Sequence, residues 1–226
     1  MGLILNLETS TTNCSVSLAK YGEILTLKEL NSANYSHAEK LHIFIDEVMA
    51  ESGKAMSDLD AIAVSKGPGS YTGLRIGVSA AKGLCYALDK PLISVSTLHS
   101  MASQLMSDDQ DRILIPVLDA RRMEVYSAVF NGQLQQIRET KAEIIDENSF
   151  QKYRELKSVH FLGSGAEKIK EVLQGGHLTY HSEVIPSAKE MARISHQKFG
   201  KKDFENVAYF EPYYLKDFVL QTKKNG

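Results

Sequence analysis

Short runs of apolar residues alternate with polar positions at the start of the chain. The segments 2–8, 13–20 and 23–30 are rich in Leu, Ile or Val, and Tyr21-Gly22 separates the second from the third. Short apolar or alternating runs bounded by turn residues are typical of β-strands. The pattern therefore predicts a β-meander of three strands.

A helical period replaces the strand pattern after this meander. Ser36 followed by Glu39 has the spacing of a capping box, which predicts a helix from residue 36, and Gly53 is suited to its end. One face of this helix is expected to be buried. Its apolar positions recur every three or four residues in the segment 36–52: Leu41, Phe44, Ile45 and Val48.

The following segments alternate between strand and helix. Residues 59–67 and 92–96 have the short apolar runs of strands, whereas 72–88 and 97–106 have a helical period. Pro91 marks the end of the longer helix, because the residue before a proline resists the helical conformation. The first part of the chain thus predicts the order β-β-β-α-β-α-β-α.

The second half of the chain repeats the opening pattern. Residues 112–140 again predict three strands joined by turns. After them we expect helices at 147–156, 165–174 and 187–200, with one strand at 159–164 between the first two. The meander followed by alternating helices and strands therefore occurs twice.

The two openings also match at the ends of their first strands. Glu8 and Asp119 each close an apolar run and precede a few polar residues, a second strand and a glycine turn. We therefore predict an α/β protein with two similar lobes, residues 1–106 and 107–226. Each lobe would be a β-meander followed by alternating helices and strands, and a polar linker would join them.

Composition and charge narrow the classes of protein to which the chain can belong. The chain is 43% hydrophobic, which suits a soluble fold, and its net charge of −2 does not favour a module that binds nucleic acid by itself. Cys14 and Cys85 have no metal-site spacing and indicate a reducing compartment. The start lacks a signal peptide, and no apolar run reaches the ~18 residues of a membrane span. We therefore expect a cytoplasmic protein.

Five segments of the chain resemble the motifs of one protein family. The most specific are SKGPGSYTGLRIGVSAAKGL at 65–84 and LDARRMEVYSAVF at 118–130. The opening ILNLETSTTNCSVSL, the helix start SHAEKL and the later EPYYLKDF match as well. These motifs are similar to those of the TsaB family, also called YeaZ, and the similarity extends over the whole chain.

This resemblance implies a fold and a role. The fold would have two actin/Hsp70-like (ribonuclease H-type) lobes. The role would be that of a non-catalytic subunit needed to form N6-threonylcarbamoyladenosine in tRNA (t6A37), without a cofactor or metal of its own. Its partners would be a TsaD-type catalytic subunit and a TsaE-type ATPase, and it would meet tRNA only through the complex. The resemblance also implies docking through the two helices of the N-terminal lobe, and a homodimer when the chain is alone.

The glycine-rich segment 65–85 admits two interpretations. It lacks the Walker and Rossmann patterns, although free amides at the start of the 72–88 helix could attract an anion. Small residues at three- and four-residue spacing instead favour close packing, either against the 36–52 helix or against a partner. Together with the resemblance, this predicts a partner interface with the following members: His37, Leu41, Ile45, Gly73, Leu74, Gly77, Ala80, Ala81 and Leu84.

The candidates for a ligand-binding cleft are the two strand-end acids. Glu8, with Thr9 and Ser10 after it, and Asp119 could face each other across the lobes and hold Mg²⁺ with a nucleotide. The alternative function is therefore a small actin-fold ATPase or kinase. Each acid could instead cap the turn that follows it. The TsaB family usually has Asp where this chain has Glu8, a change that is harmless if the cleft is vestigial.

The histidines do not predict a metal site. His37 and His42 are five residues apart, whereas two ligands on one helix face require a spacing of four. At five residues their side chains diverge by about 140° around the helix axis. We therefore expect no metal site at these histidines, and the resemblance implies that the chain has no catalytic residues.

Overall fold

Two five-stranded sheets form the frame of the molecule, for which the computed structural model describes residues 2–32 and 36–215. The strands of the first sheet are Leu3–Glu8 (β1), Asn13–Lys20 (β2), Glu23–Asn31 (β3), Ala61–Gly67 (β4) and Leu92–Ser96 (β5). They lie in the order β3-β2-β1-β4-β5. The first three form the predicted antiparallel meander, and β4 and β5 continue the sheet in parallel with β1.

The second sheet repeats this arrangement strand for strand. Its strands are Arg112–Asp119 (β6), Glu124–Asn131 (β7), Gln136–Ile144 (β8), Ser158–Leu162 (β9) and Leu178–His181 (β10). Their order, β8-β7-β6-β9-β10, corresponds to that of the first sheet. This shared connectivity confirms the predicted α/β class with two similar lobes. The sequence pattern does not predict β10, because its four residues follow a glycine pair and carry too little periodicity.

The helices differ in length between the two halves of the chain. Those in the described ranges are His37–Ser52 (α1), Tyr71–Leu88 (α2), Thr97–Ser103 (α3), Gln151–Arg154 (α4), Ala166–Val172 (α5) and Ala188–Gly200 (α6). The predictions for α1 and α2 are correct to within one residue, whereas the helix expected at 147–156 is reduced to α4. None of the described helices combines the length and apolar character that crossing a bilayer requires.

Alternation along β1 directs its side chains to the two faces of the first sheet. Leu5 and Leu7 join the core that contains the apolar face of α1 and α2. Ile4 joins a separate core with Met191 and Ile194 of α6. Because successive side chains of a strand point to opposite faces, the first sheet is covered on both sides.

The last described part of the chain returns to the first lobe. Ser17 Oγ in β2 donates a hydrogen bond to the carbonyl of Ala188, at the start of α6 (2.8 Å). The amide of Glu205 donates to the carbonyl of Leu92 at the open edge of β5 (2.8 Å). Polar groups and apolar surface of the first sheet are therefore covered by α6 and by described residues after it. The division of the chain at residues 106 and 107 stays a prediction.

The ends of the two long helices show where capping signals hold and where they fail. Ser36 precedes α1 with φ −105° and ψ 12°, and within the described structure its Oγ makes no hydrogen bond. An N-cap normally has extended backbone, so the predicted capping box with Glu39 is wrong. Gly53 ends α1 in the left-handed conformation, as predicted. Ser70 caps α2, because its Oγ accepts from the amide of Gly73 (3.2 Å).

Candidate functional site

Glu8, at the end of β1, is sealed inside the first lobe. Its side chain has no solvent exposure, and its Oε1 accepts hydrogen bonds from the amide of Ser10 (2.7 Å) and from Ser65 Oγ (2.8 Å). Burial raises the pKa of Glu8, and the hydrogen bonds from Ser10 and Ser65 oppose that shift. As folded, this carboxylate is not offered to a ligand in solvent.

Asp119, at the matching end of β6, lies at the surface. Its side chain is 47% exposed and forms an ion pair with Lys168 of α5 (2.6 Å). Its Oδ1 also accepts from the amide of Arg121 (2.7 Å). Each acid thus accepts an amide two residues further along the chain, which is the capping role, and the two acids occupy different environments. The geometry gives no support to a shared magnesium–nucleotide site.

The N-terminus of α2 contacts the loop after β1. The amide of Ser70 donates to the carbonyl of Ser10 (2.6 Å). A Cβ placed on Gly69 would overlap that carbonyl, and one placed on Gly73 would overlap the carbonyl of Thr9. An anion could not reach the amide of Ser70 without displacing the loop. The glycine-rich segment is therefore a close-packing element in this chain, and not an open phosphate loop.

Most of the predicted interface residues lie in the interior of the first lobe. The periodicity that selects them identifies the stripe of each helix that faces the sheet. Of the predicted set, Ala80 and Leu84 are partly exposed. Seven residues are buried and cannot offer their side chains to a partner in the chain as folded: His37, Leu41, Ile45, Gly73, Leu74, Gly77 and Ala81.

These buried residues contact the core of the first lobe and the loop after β1. Leu41 and Ile45 enter the core of the first sheet, together with Ala81. His37 Nε2 lies 2.7 Å from the carbonyl of Thr11, and since a carbonyl only accepts, this nitrogen carries the proton. Burial lowers the pKa of His37, which keeps the ring neutral near pH 7.

A shallow groove open to solvent, with a volume of about 580 Å³, lies along α2 where it neighbours α1. We call this surface the docking face. Large apolar side chains of the same helices are also exposed, Tyr86 by 87% and Ile43 by 47%. Such exposure on one helix pair is a feature of interaction surfaces. The groove is lined by His42, Arg75, Ile76, Ser79, Ala80, Gly83 and Leu84.

Arg75 stands at the rim of this groove, in the first turns of α2. Its guanidinium lies over the ring of Tyr71, 4.5 Å from the centroid, and Tyr71 in turn packs on Tyr214 (4.9 Å between centroids). Arg75 is thus paired with an aromatic residue of its own helix, and neither Glu8 nor Asp119 is its partner in the described contacts. Of the docking-face residues, sequence reasoning missed Ile43, Ile76 and Tyr86. The available signal was their position between the buried residues of each helix.

Comparison with known proteins identifies relatives over the whole chain. The family model described as "TsaD: tRNA N6-adenosine threonylcarbamoyltransferase" matches residues 31–223. A protein of Haemophilus influenzae named "tRNA threonylcarbamoyladenosine biosynthesis protein TsaB" is 31% identical, with 99% of this chain and 97% of the relative covered. The protein of the same name from Escherichia coli K12 is 30% identical over 99% of this chain and 98% of its own length.

A solved structure agrees with these matches. The structure titled "YeaZ from Pseudomonas aeruginosa" superimposes with a TM-score of 0.84 and 25% sequence identity, covering 95% of this chain and 100% of that one. The predicted two-lobed actin/Hsp70-like fold is thereby confirmed. On the sequence matches and this fold, the chain belongs to the TsaB (YeaZ) family, within the group of proteins that the TsaD model describes.

Proposed function

We propose that this protein is a non-catalytic subunit required to form t6A37 in tRNA. It docks on a TsaD-type catalytic subunit, supports the action of a TsaE-type ATPase and meets tRNA only through the complex. The names of its full-length relatives support a role in threonylcarbamoyladenosine biosynthesis. The structural observation that supports the proposal is the docking face, with its groove and its exposed apolar side chains.

The docking face suits a helix or helix pair of a partner. Ser79, Ala80 and Gly83 are small, so a partner helix can approach the α2 backbone closely. Tyr86 projects beside them as an exposed aromatic anchor, a residue type enriched at interface hot spots. Burying apolar surface here would contribute about 25 cal/mol per Å², before the cost of association is subtracted.

The same face supports a homodimer when the chain is alone. In a two-fold symmetric dimer both protomers use the same surface, and the docking face is available for such self-association. One face cannot contact a second copy and a TsaD-type subunit at the same time. We therefore expect the catalytic subunit to compete with the homodimer, and self-association to weaken as the partner is added.

The alternative function, a nucleotide-dependent ATPase or kinase using Glu8 and Asp119, has no comparable support. Glu8 is fully buried, and Asp119 is paired with Lys168. The amide of Ser70, at the start of α2, already donates to the carbonyl of Ser10. ATP binding by the isolated chain, lost in a folded Glu8→Ala variant, would revive this alternative.

The test is reconstitution of the modification with purified components. TsaD-type and TsaE-type proteins, threonylcarbamoyl-adenylate, ATP and tRNA are incubated with or without this chain, and t6A is measured by mass spectrometry of nucleosides. We expect t6A only when the chain is present with the TsaD-type subunit. Equal yield without the chain, or t6A formed by the chain alone, would contradict the proposal.

A matched pair of glycine variants connects this assay to the docking face. A Cβ on Gly83 or on Gly200, the last residue of α6, would meet nothing within 4 Å, so both positions tolerate a larger side chain. Gly83→Arg places a long cation in the groove and should abolish t6A formation. Gly200→Arg adds the same side chain elsewhere and should leave it unchanged.

A further inference from the structure

The turn between β1 and β2, residues 9–12, contacts the first turn of both helices that carry the docking face. We call this segment the β1–β2 loop. Its residues Thr9 and Ser10 are buried. Three hydrogen bonds make the connection: Thr9 Oγ1 to the Gly73 carbonyl (2.8 Å), the Ser70 amide to the Ser10 carbonyl (2.6 Å) and His37 Nε2 to the Thr11 carbonyl (2.7 Å).

The glycines of α2 bring this helix directly against the β1–β2 loop. A Cβ on Gly73 would overlap the carbonyl of Thr9, and a Cβ on Gly77 would overlap Thr9 Oγ1. Thr9 itself has no solvent exposure. Gly73 and Gly77 therefore serve an intramolecular contact, and the position of α2 depends on where Thr9 lies.

Glu8 in turn fixes the loop. Its Oε1 accepts from the amide of Ser10 and from Ser65 Oγ, the second of which lies in β4. The loop is thus tied to the sheet on one side and to both docking helices on the other. These bonds give the buried acid a structural role.

Hydrogen bonds from the β1–β2 loop restrict shifts of α1 and α2 that the apolar core alone would permit. The cores under α1 and α2 are aliphatic, with Leu41, Ile45 and Val78 among their members. Apolar burial is non-directional, so it holds the helices on the sheet more firmly than it sets their positions along their own axes. Hydrogen bonds have narrow distance and angle limits, and those of the β1–β2 loop act on the first turn of each helix.

We propose that the β1–β2 loop fixes α1 and α2 relative to each other, and that Thr9 is a positioning residue for the docking face. This inference rests on the proposed function of that face. The inference goes beyond the proposed function because a buried threonine, which does not contact the partner, would determine the shape of the docking face.

The first test compares Thr9→Val with Thr9→Ser. Valine keeps the shape and removes the hydroxyl, whereas serine keeps the hydroxyl and removes the methyl group. Association of the full-length chain with the TsaD-type subunit is measured by titration calorimetry, well below the melting temperature. We expect Thr9→Val to weaken binding at least about tenfold, because the helix start is released, and Thr9→Ser to bind within about threefold of wild type.

A double variant separates positioning from simple stability. In Thr9→Ala/Gly77→Ala, the new alanine at 77 would lie 3.3 Å from the Cβ of residue 9, so its methyl group occupies the space of the lost hydroxyl. Alanine also favours a helix interior over glycine, which restores stability. We expect a melting temperature close to wild type and binding as weak as in Thr9→Val. A double variant that folds and binds like wild type would overturn the inference.

Hydrogen exchange in the isolated chain gives a readout that needs no partner. In Thr9→Val the amides of 71–78 should exchange faster than in wild type, while those of α6 stay unchanged; Thr9→Ser should resemble wild type. Unchanged exchange at 71–78 would contradict the inference, even where Thr9→Val binds weakly. If wild type itself fails to bind the TsaD-type subunit, the proposed function fails, and the exchange result still decides whether Thr9 positions α2.

Discussion

The turns after β1 and after β6 occupy the same place in two sheets of the same connectivity, yet they are built differently. In the first lobe Glu8 is buried, and α2, the helix that follows β4, lies against the turn through its glycines. In the second lobe Asp119 is exposed, and α5, the helix that follows β9, reaches the turn through the side chain of Lys168. One turn is enclosed by backbone packing, and the other is held by a surface ion pair.

The two lobes also differ in the lengths of their helices. The first lobe carries α1 of 16 residues and α2 of 18 residues, whereas α4 and α5 of the second lobe have 4 and 7. A short helix presents little surface to a partner protein, so its position along its own axis need not be fixed. The lobe with the long helices thus has the enclosed turn, and the lobe with the short helices has the surface turn.

The largest effect should come from breaking the enclosed turn. Gly77→Arg would force a side chain into Thr9, and we expect a loss of at least about 4 kcal/mol in the free energy of unfolding, by urea denaturation. Gly83→Arg, on the same helix with open space around it, should stay within about 1 kcal/mol of wild type. Similar losses in both variants would mean that α2 does not rely on this contact.

A smaller effect should separate the two acids. Glu8→Ala leaves the amide of Ser10 and the hydroxyl of Ser65 buried without their acceptor, so we expect a loss of about 2 to 4 kcal/mol. Asp119→Ala removes an ion pair that is partly exposed, which should cost at most about 1 kcal/mol. Thermal unfolding followed by circular dichroism makes the comparison. Equal losses would remove the distinction between an enclosed and a surface turn.

The smallest effect is a pH dependence confined to the second sheet. His160 Nδ1 in β9 lies 3.1 Å from His181 Nε2 in β10. Ser158 and Glu183 contact the outer nitrogens of the pair. Burial lowers the pKa of His160 below its usual 6.5, and the charges of Arg112 and His181 add to the shift.

The sign of this dependence follows from proton binding. Because folded His160 binds a proton less tightly than the unfolded chain, its contribution to stability is present above pH about 6.5 and is lost as the pH falls. We expect His160→Gln to remove part of the decrease in unfolding free energy between about pH 7 and 5. Urea denaturation over this range tests it, and an unchanged pH slope would contradict it.

The fold could be predicted well because apolar periodicity is a local signal. The spacing of Leu41, Ile45 and Val48 places them on one face of a helix whatever the rest of the fold is, so α1 can be predicted from the sequence alone. The capping box at Ser36 failed because the cap depends on the backbone angles of one residue, which a motif does not determine. The return of α6 to the first sheet is a contact between distant segments, and spacing along the chain contains no information about it.

The candidate site was predicted only in part, for the same reason. Gly73 and Gly77 were correctly identified as close-packing positions, but the group that they meet is Thr9, far away in sequence. Periodicity selects the buried stripe of a helix, so the predicted interface contained Leu41 and Ala81 and omitted Tyr86.

The most direct test of the docking face is sedimentation velocity of this chain mixed with its TsaD-type subunit. Wild type and Gly200→Arg should form a stable mixed species, and Gly83→Arg should sediment separately from the partner while keeping its fold by circular dichroism. A mixed species that forms equally well with folded Gly83→Arg would contradict the account, because the partner would then bind a surface other than the exposed side of α1 and α2.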